Sequence, residues 1–451
     1  MKKILYTFLL LLFSLDLSAG GPIAIDTVNK SGTAQRWDKN TVEWFHDDGS
    51  LATNVNNQKA VQWVQEAFST WSNVTMQTAD GRSVKTVDIT IKSGGSLGKD
   101  VDKTNYHEYL SATEGPSAVI FDPDGSILED IGIDKTLIIG VTAPLLSSGD
   151  GKKILRGVTI LSGYLLENNR LDPDQARAEM LHRASGLHEI GHFLNLDHGS
   201  TMAAAALACK KDGACVDGEF IPTMFPELKT PLQINLARDD KVTISWMYPS
   251  TTFHSEFCII RGRVEDDKSI PLRGVNLLAQ RVGESEGLTK EDVRAFVSGV
   301  LYPGCEPNSD YTLYGIVPEK KYQVLYEQLP SQYIGQSGFE PLPNPPQGFT
   351  AATIETSDGK STVECSKGGE VMEMPVVKVT AANPCKNLKP NSNTSASAGL
   401  PKEGSSGCGL MRGNNSTNVL LGVSIIASIF MIARKRRYFQ KGDGSCVTQN
   451  S

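Results

Sequence analysis

Three histidines and a glutamate between positions 188 and 198 have the residue types and spacing of a catalytic metal site. His188 and His192 are four residues apart, so on a helix their imidazoles lie one above the other on one face. Glu189 adjoins the first histidine and can reach a water held by the same metal. On a continuing helix His198 would lie about 9 Å beyond His192, at ~1.5 Å per residue. We therefore expect the helix to end near Asn195, in the left-handed conformation that asparagine tolerates.

Three neutral imidazoles with one open position are the donor set of a catalytic zinc site, whereas structural zinc sites are closed. Bound zinc lowers the pKa of a water to about 7 and polarises a carbonyl group. Glu189 is then placed to act as general base, a role typically worth about 10²–10⁴-fold in rate. The motif therefore predicts zinc ligation by His188, His192 and His198, against the alternative of a helix with surface histidines.

A proline-flanked turn, Pro222-Thr-Met-Phe-Pro226, follows the third histidine. With the histidine motif it resembles the matrixin branch of the metzincin zinc peptidases, whose Met-turn follows the third ligand. The resemblance implies an α+β metzincin catalytic domain over residues 33–250, with a twisted mixed sheet, a zinc-binding helix and Met224 as a floor that does not ligate. The segment Leu236–Tyr248 resembles the closing helix of that domain. Asn195 departs from the family's usual glycine.

The first part of the chain indicates export. Residues 1–20 combine the basic residues Lys2 and Lys3, an apolar run, and small residues at a possible cleavage site, which is the pattern of a signal peptide. Exported proteins fold in an oxidising compartment where disulfides persist. The formal net charge of −7, from 44 basic and 51 acidic residues, argues against a nucleic-acid partner.

Residues 254–385 change to short β-rich runs with glycine and proline between them, the pattern of an all-β sandwich. The runs resemble carboxypeptidase-regulatory-like modules, which implies an accessory domain. Six cysteines lie between positions 209 and 385 and allow fifteen pairings. Our expectation pairs neighbours along the chain: Cys209 with Cys215, Cys258 with Cys305, and Cys365 with Cys385.

The C-terminal part predicts a tether and an anchor. Residues 386–415 form a polar flexible linker that carries the motif Ser406-Gly-Cys-Gly409. Residues 416–437 combine an apolar run with a basic cluster, and 438–451 form a short tail. A transmembrane helix and a cleaved cell-surface sorting signal fit this pattern equally. The exported protein would thus be membrane-anchored, sorted to the cell surface, or released.

An acidic loop provides a second candidate ion site. Asp122 and Asp124 flank Pro123 just before Gly125, and their carboxylates could bind calcium. The spacing is not that of a complete calcium loop, and a solvated acidic turn is the alternative. Downstream, Asp172 followed by Pro173 predicts the N-terminus of the metal-binding helix.

The sequence as a whole predicts a secreted or surface-anchored zinc endopeptidase that hydrolyses protein or peptide substrates. Glu189 would be its general base. The alternative is a cell-surface binding or adhesion protein with an inert metalloprotease domain, which the complete set of ligands disfavours.

Overall fold

A computed structural model describes residues 21–38, 42–110, 115–201, 221–282, 293–330, 345–385 and 406–409. The α-helices in these ranges are α1 (Asn57–Ser72), α2 (Ser126–Asp130), α3 (Gln175–Phe193), α4 (Arg238–Met247) and α5 (Thr251–Glu256), and short 3-10 helices cover Tyr106–Glu108, Glu167–Asn169 and Pro231–Ile234. The strands are β1 (Arg36–Trp37), β2 (Val42–His46), β3 (Thr75–Gln77), β4 (Ser83–Lys85), β5 (Ile91–Ser96), β6 (Ala118–Asp122), β7 (Ile138–Ser147), β8 (Lys153–Ser162), β9 (Cys258–Asp266), β10 (Val275–Arg281), β11 (Val293–Val297), β12 (Asp310–Ile316), β13 (Tyr322–Gln328), β14 (Ala352–Thr353), β15 (Val371–Glu373), β16 (Val377–Val379) and β17 (Ser406–Gly409).

The N-terminal half contains a mixed sheet in the order β17-β7-β8-β6-β2-β5, with β1 also paired to β8. The strands β8, β6, β2 and β5 run parallel to one another, and β6 is buried along its whole length, as parallel strands usually are. β7 runs antiparallel to β8 on one side and to β17 on the other. Among the described strands of this sheet, β7 is therefore the one that runs opposite to all the others.

Helices α1 and α3 pack together over this sheet in one apolar core. Asn56 caps the start of α1 by accepting a hydrogen bond from the Lys59 N–H at 3.0 Å. Trp71, which is fully buried, donates its indole N–H to the Leu187 carbonyl at 2.8 Å. This side-chain bond between the helices holds α3 at a fixed position relative to α1.

The C-terminal half is built from two four-stranded sheets, β11-β10-β13-β14 and β12-β9-β15 with β16 also on β9. Their inward side chains form a second apolar core. The β-rich runs of the sequence at 258–264, 311–318 and 322–326 largely overlap β9, β12 and β13. The run at 271–279 is a strand only from Val275 onward.

Two disulfides join this half, but the expected pairing is wrong. Cys258 bonds to Cys365 and Cys305 bonds to Cys385. The reason is the topology, because β15 and β16 both run parallel to β9 and bring the last part of the domain alongside its first strand. Cysteines that are neighbours in sequence are therefore not neighbours in space. Cys209 and Cys215 lie outside the described residues.

The predicted fold class is also wrong. The described chain is a mixed, sheet-rich fold with few helices, and none of the helices in the described ranges is long and apolar enough to cross a bilayer. This finding contradicts the expected transmembrane helix and, with it, the expected combination of a metzincin domain, a sandwich and a membrane segment. The apolar run of 419–433 would reach only about 22 Å as a helix, against a hydrocarbon core of about 30 Å. The segments 1–20, 386–405 and 410–451 lie outside the described residues.

Two local expectations are corrected as well. The alternating run Val87-Asp-Ile-Thr-Ile91 predicts a strand, but β5 begins only at Ile91 and Val87 makes a single bridge to Pro249. The expected N-cap of α3 is displaced by two residues, because Asp174 and not Asp172 accepts bonds from the first helical N–H groups. Asp172 instead binds the Arg177 side chain at 3.0 Å.

We expect peptide mapping without reduction to recover the Cys258–Cys365 and Cys305–Cys385 linked fragments. Replacing Cys258 by Ser should lower the free energy of unfolding by about 2–5 kcal/mol, because the bond closes a long loop in the unfolded chain. Denaturant titration measures this loss. Recovery of a Cys258–Cys305 fragment instead would contradict the observed arrangement of β9 and β15.

Candidate metal centre

The helix α3 brings two of the three histidines to one face. Its Asp174 cap accepts from the Ala176 N–H at 2.9 Å and the Arg177 N–H at 3.3 Å, which satisfies two amides at the helix start. His188 and His192 follow near the other end, with ring centroids 4.4 Å apart. His182 faces elsewhere, and its Nε2 lies 2.9 Å from the Ser162 carbonyl oxygen.

The third histidine joins this pair. The His198 ring centroid lies 5.1 Å from that of His188 and 4.8 Å from that of His192. One nitrogen from each ring falls within 4.8 Å of the others. Within the described ranges this is the group of three histidine, cysteine or acidic residues that could hold a metal ion. All three rings are buried.

Backbone carbonyl groups set the tautomer of two ligands. The Nδ1 atom of His188 lies 2.7 Å from the Thr223 oxygen, and Nδ1 of His192 lies 2.7 Å from the Leu196 oxygen. A carbonyl oxygen only accepts, so each Nδ1 carries the proton and each Nε2 keeps its lone pair. Both Nε2 atoms are buried with no hydrogen-bond partner among the described residues. Burial lowers the pKa of His188 to about 4 and the pKa of His192 well below its ordinary value, so both rings are neutral.

The chain reverses at Asn195, as the motif predicts. Asn195 has a φ of 73°, in the left-handed region. Its side chain has a second role that the spacing of the histidines does not reveal. The carboxamide oxygen accepts from the Ala24 N–H at 2.7 Å, and its nitrogen donates to the Ala24 and Gln35 oxygens at 2.9 and 2.8 Å. The segment around Ala24 and Gln35 therefore packs against the turn that delivers His198.

The Met-turn lies beneath the metal-binding helix. A Cβ atom on Gly191 would overlap the sulfur of Met224 and come within 2.9 Å of the Trp71 ring. The glycine between the two helical histidines thus makes room for Met224. Met224 belongs to the core of the N-terminal half, whereas the next residue, Phe225, belongs to the core of the C-terminal half. The turn therefore joins the two cores.

A buried carboxylate on α4 holds the Met-turn in place. Asp240 accepts hydrogen bonds from the N–H groups of Thr223, Met224 and Ala237 at 2.8–3.0 Å. Burial, followed by the neighbouring Asp239, raises the pKa of Asp240 to about 7. Sequence reasoning missed this residue. Its signal in the sequence was the acidic pair Asp239-Asp240 within the segment that resembles the closing helix.

The adjacent carboxylate extends the support into the sandwich. Asp239 pairs with Arg294 of β11 and accepts from the Ala295 N–H at 3.0 Å, and both charged residues are almost fully buried. A second link is the 2.8 Å hydrogen bond between the Ser200 hydroxyl and Asn276 of β10. The loop that carries His198 is thus fastened from both halves of the protein.

Glu189 is fully buried and lies next to the sheet. A Cβ atom on Gly140 of β7 would come within 2.7 Å of the Glu189 Cγ. Only a glycine fits at this point of the strand, so β7 passes directly beside the glutamate. Gly140 is a further residue that the motif did not identify.

The expected calcium loop is used differently. The Asp122 carboxylate accepts from the Ile127 and Leu128 N–H groups at 3.1 and 3.0 Å and so caps α2. Burial raises its pKa to about 6. Asp124 accepts from the Ser126 N–H at 2.9 Å. No group of three candidate metal ligands in the described ranges includes either aspartate.

Comparisons with known proteins leave the site as the main source of functional information. Neither a family model nor a characterised protein matches the sequence. Catechol 1,2-dioxygenases from Pseudomonas arvilla C-1 and Acinetobacter sp. ADP1 align with 32% of this chain and 59% of their own, at 10% identity and TM-scores of 0.15 and 0.14. The chain thus spans less than two thirds of their length. The dioxygenase domain of a dioxygenase–carbohydrate-binding fusion from Streptomyces sp. SirexAA-E aligns with 28% of this chain and 84% of its own, at 12% identity and a TM-score of 0.13. Likeness at this level carries no argument.

Substitutions at Asn195 separate its two roles. Asn195→Gly keeps the left-handed turn but loses three side-chain hydrogen bonds, so the free energy of unfolding should fall by about 1–3 kcal/mol. Asn195→Ala loses the same bonds and adds the cost of a left-handed β-carbon, about 1–2 kcal/mol more. Denaturant titration of both variants measures the difference. Equal stability of the glycine variant and the natural protein would contradict the role of the carboxamide.

Proposed function

We propose that the protein is a zinc-dependent endopeptidase that acts on protein or peptide substrates. The observation that carries the proposal is the pair of buried Nε2 atoms of His188 and His192, which lack hydrogen-bond partners among the described residues and face the third imidazole of His198. Desolvated lone pairs are costly unless a cation binds them. Three neutral imidazoles suit zinc among the common metals.

The proposed roles follow from the positions of the side chains. His188, His192 and His198 would hold the ion, which when bound supplies Lewis acidity to water and to the scissile carbonyl. Glu189 follows His188 on the same helix and would take a proton from the attacking water and pass it to the leaving amine. Met224 would support the ligands from beneath without binding the metal. The histidine motif of residues 188–198 and the turn around Met224 both resemble those of the matrixins.

The proposal includes export of the protein. Its two disulfides are typical of an oxidising compartment, and the signal-peptide pattern precedes Gly21. The competing function, a surface binding protein with an inert peptidase domain, predicts metal binding without cleavage. Metal content and cleavage of denatured casein, measured on the same preparation with and without a chelator, therefore separate the two functions.

Replacing Glu189 by Gln tests the general base. The variant should keep its zinc, since no ligand changes, and should lose about 10²–10⁴-fold in kcat/KM, the usual contribution of such a group. Casein cleavage and metal analysis measure the two quantities. Undiminished cleavage by the variant would refute the role of Glu189.

Replacing His198 by Ala tests the third ligand. Loss of one of three protein ligands should lower zinc retention after dialysis against a mild chelator, whereas the exposed His254 offers a matched control in His254→Ala. The control should retain as much zinc as the natural protein. Full metal content in His198→Ala would mean that this histidine is not a ligand.

A further inference from the structure

A segment near the C-terminus lies along the strand that borders Glu189. β17 pairs antiparallel with β7, and the register places Ser406 opposite Thr142, Gly407 opposite Val141 and Cys408 opposite Gly140. The sequence of this segment, Ser-Gly-Cys-Gly, consists of small residues. Twenty residues, 386–405, separate it from the end of the sandwich.

The register brings this segment to the centre of the site. Gly140 lies against Glu189, and paired strands are about 4.7–4.9 Å apart, so the backbone at position 408 is one strand spacing from the residue that borders the general base. β17 also contacts α3, the helix that carries Glu189. The segment therefore lies where a polypeptide chain would have to lie to be cut.

The burial of the reactive groups agrees with an occupied site. Glu189, His192 and His198 have no exposed surface, and His188 is 1% exposed. A peptidase must admit an extended chain to these groups. In the described arrangement the outer edge of β7, where main-chain groups could receive such a chain, is already paired with β17.

We infer that Ser406–Gly409 is the resident occupant of the outer edge of β7, the edge with which a polypeptide substrate would have to pair. The tail excludes substrates until it is displaced. The inference rests on the proposed function for the identity of the competing ligand. Recognition is by main-chain hydrogen bonds, as in other cases of strand addition, and it favours extended segments of small residues beside Gly140. The linker keeps the occupant at a high effective concentration, on the order of mM.

The test uses the full chain with two proline substitutions, Ser406→Pro and Gly407→Pro together. Alternate residues of an antiparallel strand direct their N–H groups to the neighbour, so two consecutive prolines remove at least one donor to β7 while Cys408 is retained. The matched control carries Asn393→Pro and Thr394→Pro in the linker. Zinc content and thermal unfolding are compared first, since all three proteins should fold alike.

Two measurements follow on these proteins. Hydrogen exchange in the fragment 138–143 should be slow in the natural and control proteins and faster in the Ser406→Pro/Gly407→Pro protein. Casein cleavage at low substrate concentration should rise about tenfold in that protein, the change expected if one natural molecule in ten is open. Added synthetic peptide of residues 403–412 should then raise the KM of the Ser406→Pro/Gly407→Pro protein for casein and leave its kcat unchanged.

The outcomes distinguish this inference from the proposed function. Equal exchange of 138–143 in all three proteins would overturn the inference, whatever their activity. Faster exchange with an unchanged cleavage rate would overturn the competition between tail and substrate. Faster exchange with no cleavage by any of the proteins would overturn the proposed function and leave the tail as the occupant of the β7 edge.

Discussion

The metal site depends on the chain reversing its direction within a few residues of the end of α3. Without that reversal His198 would continue away from His188 and His192, and no ion could bind all three. The turn requires a positive φ, which costs most residues about 1–2 kcal/mol and asparagine less. Asn195 also binds the segment around Ala24 through its carboxamide, so a single side chain links the turn to that segment. A glycine at this position would allow the left-handed turn but would lose the hydrogen bonds to the segment around Ala24.

Two consecutive carboxylates of α4 connect this helix to the Met-turn and to the sandwich. Asp240 binds the backbone of the Met-turn, and Asp239 pairs with Arg294 in the sandwich. Such buried groups are costly to desolvate, and removing one partner of a buried pair typically costs about 3–5 kcal/mol. They contribute little net stability, but they fix the relative positions of α4, the turn and β11. The sandwich is therefore part of the support of the metal site and not only a spacer.

The sequence predicted best those features that short-range spacing decides. The positions of His188 and His192 follow from helical periodicity, and the left-handed Asn195 follows from the need to return His198 to them. Features that depend on contacts distant in sequence were missed or wrong, among them the disulfide pairing and the role of Gly140. The start of α3 was misplaced because two aspartates compete locally, and only the structure shows which one caps the helix. The transmembrane prediction relied on apolar composition in a run too short to span a bilayer unaided.

The edge of β7 differs from the rest of the site in how firmly it is held. The ligands and Met224 are fixed by side-chain and main-chain bonds within two apolar cores, so they are preorganised for an ion. A four-residue strand such as β17 makes only a few hydrogen bonds, each worth about 0.5–1.5 kcal/mol net, against about 1–2 kcal/mol for ordering each residue. Its pairing is therefore weak on its own and depends on the covalent link to the domain. A rigid metal site bordered by a weakly held strand is an arrangement that a longer polypeptide can enter by exchanging one set of main-chain hydrogen bonds for another.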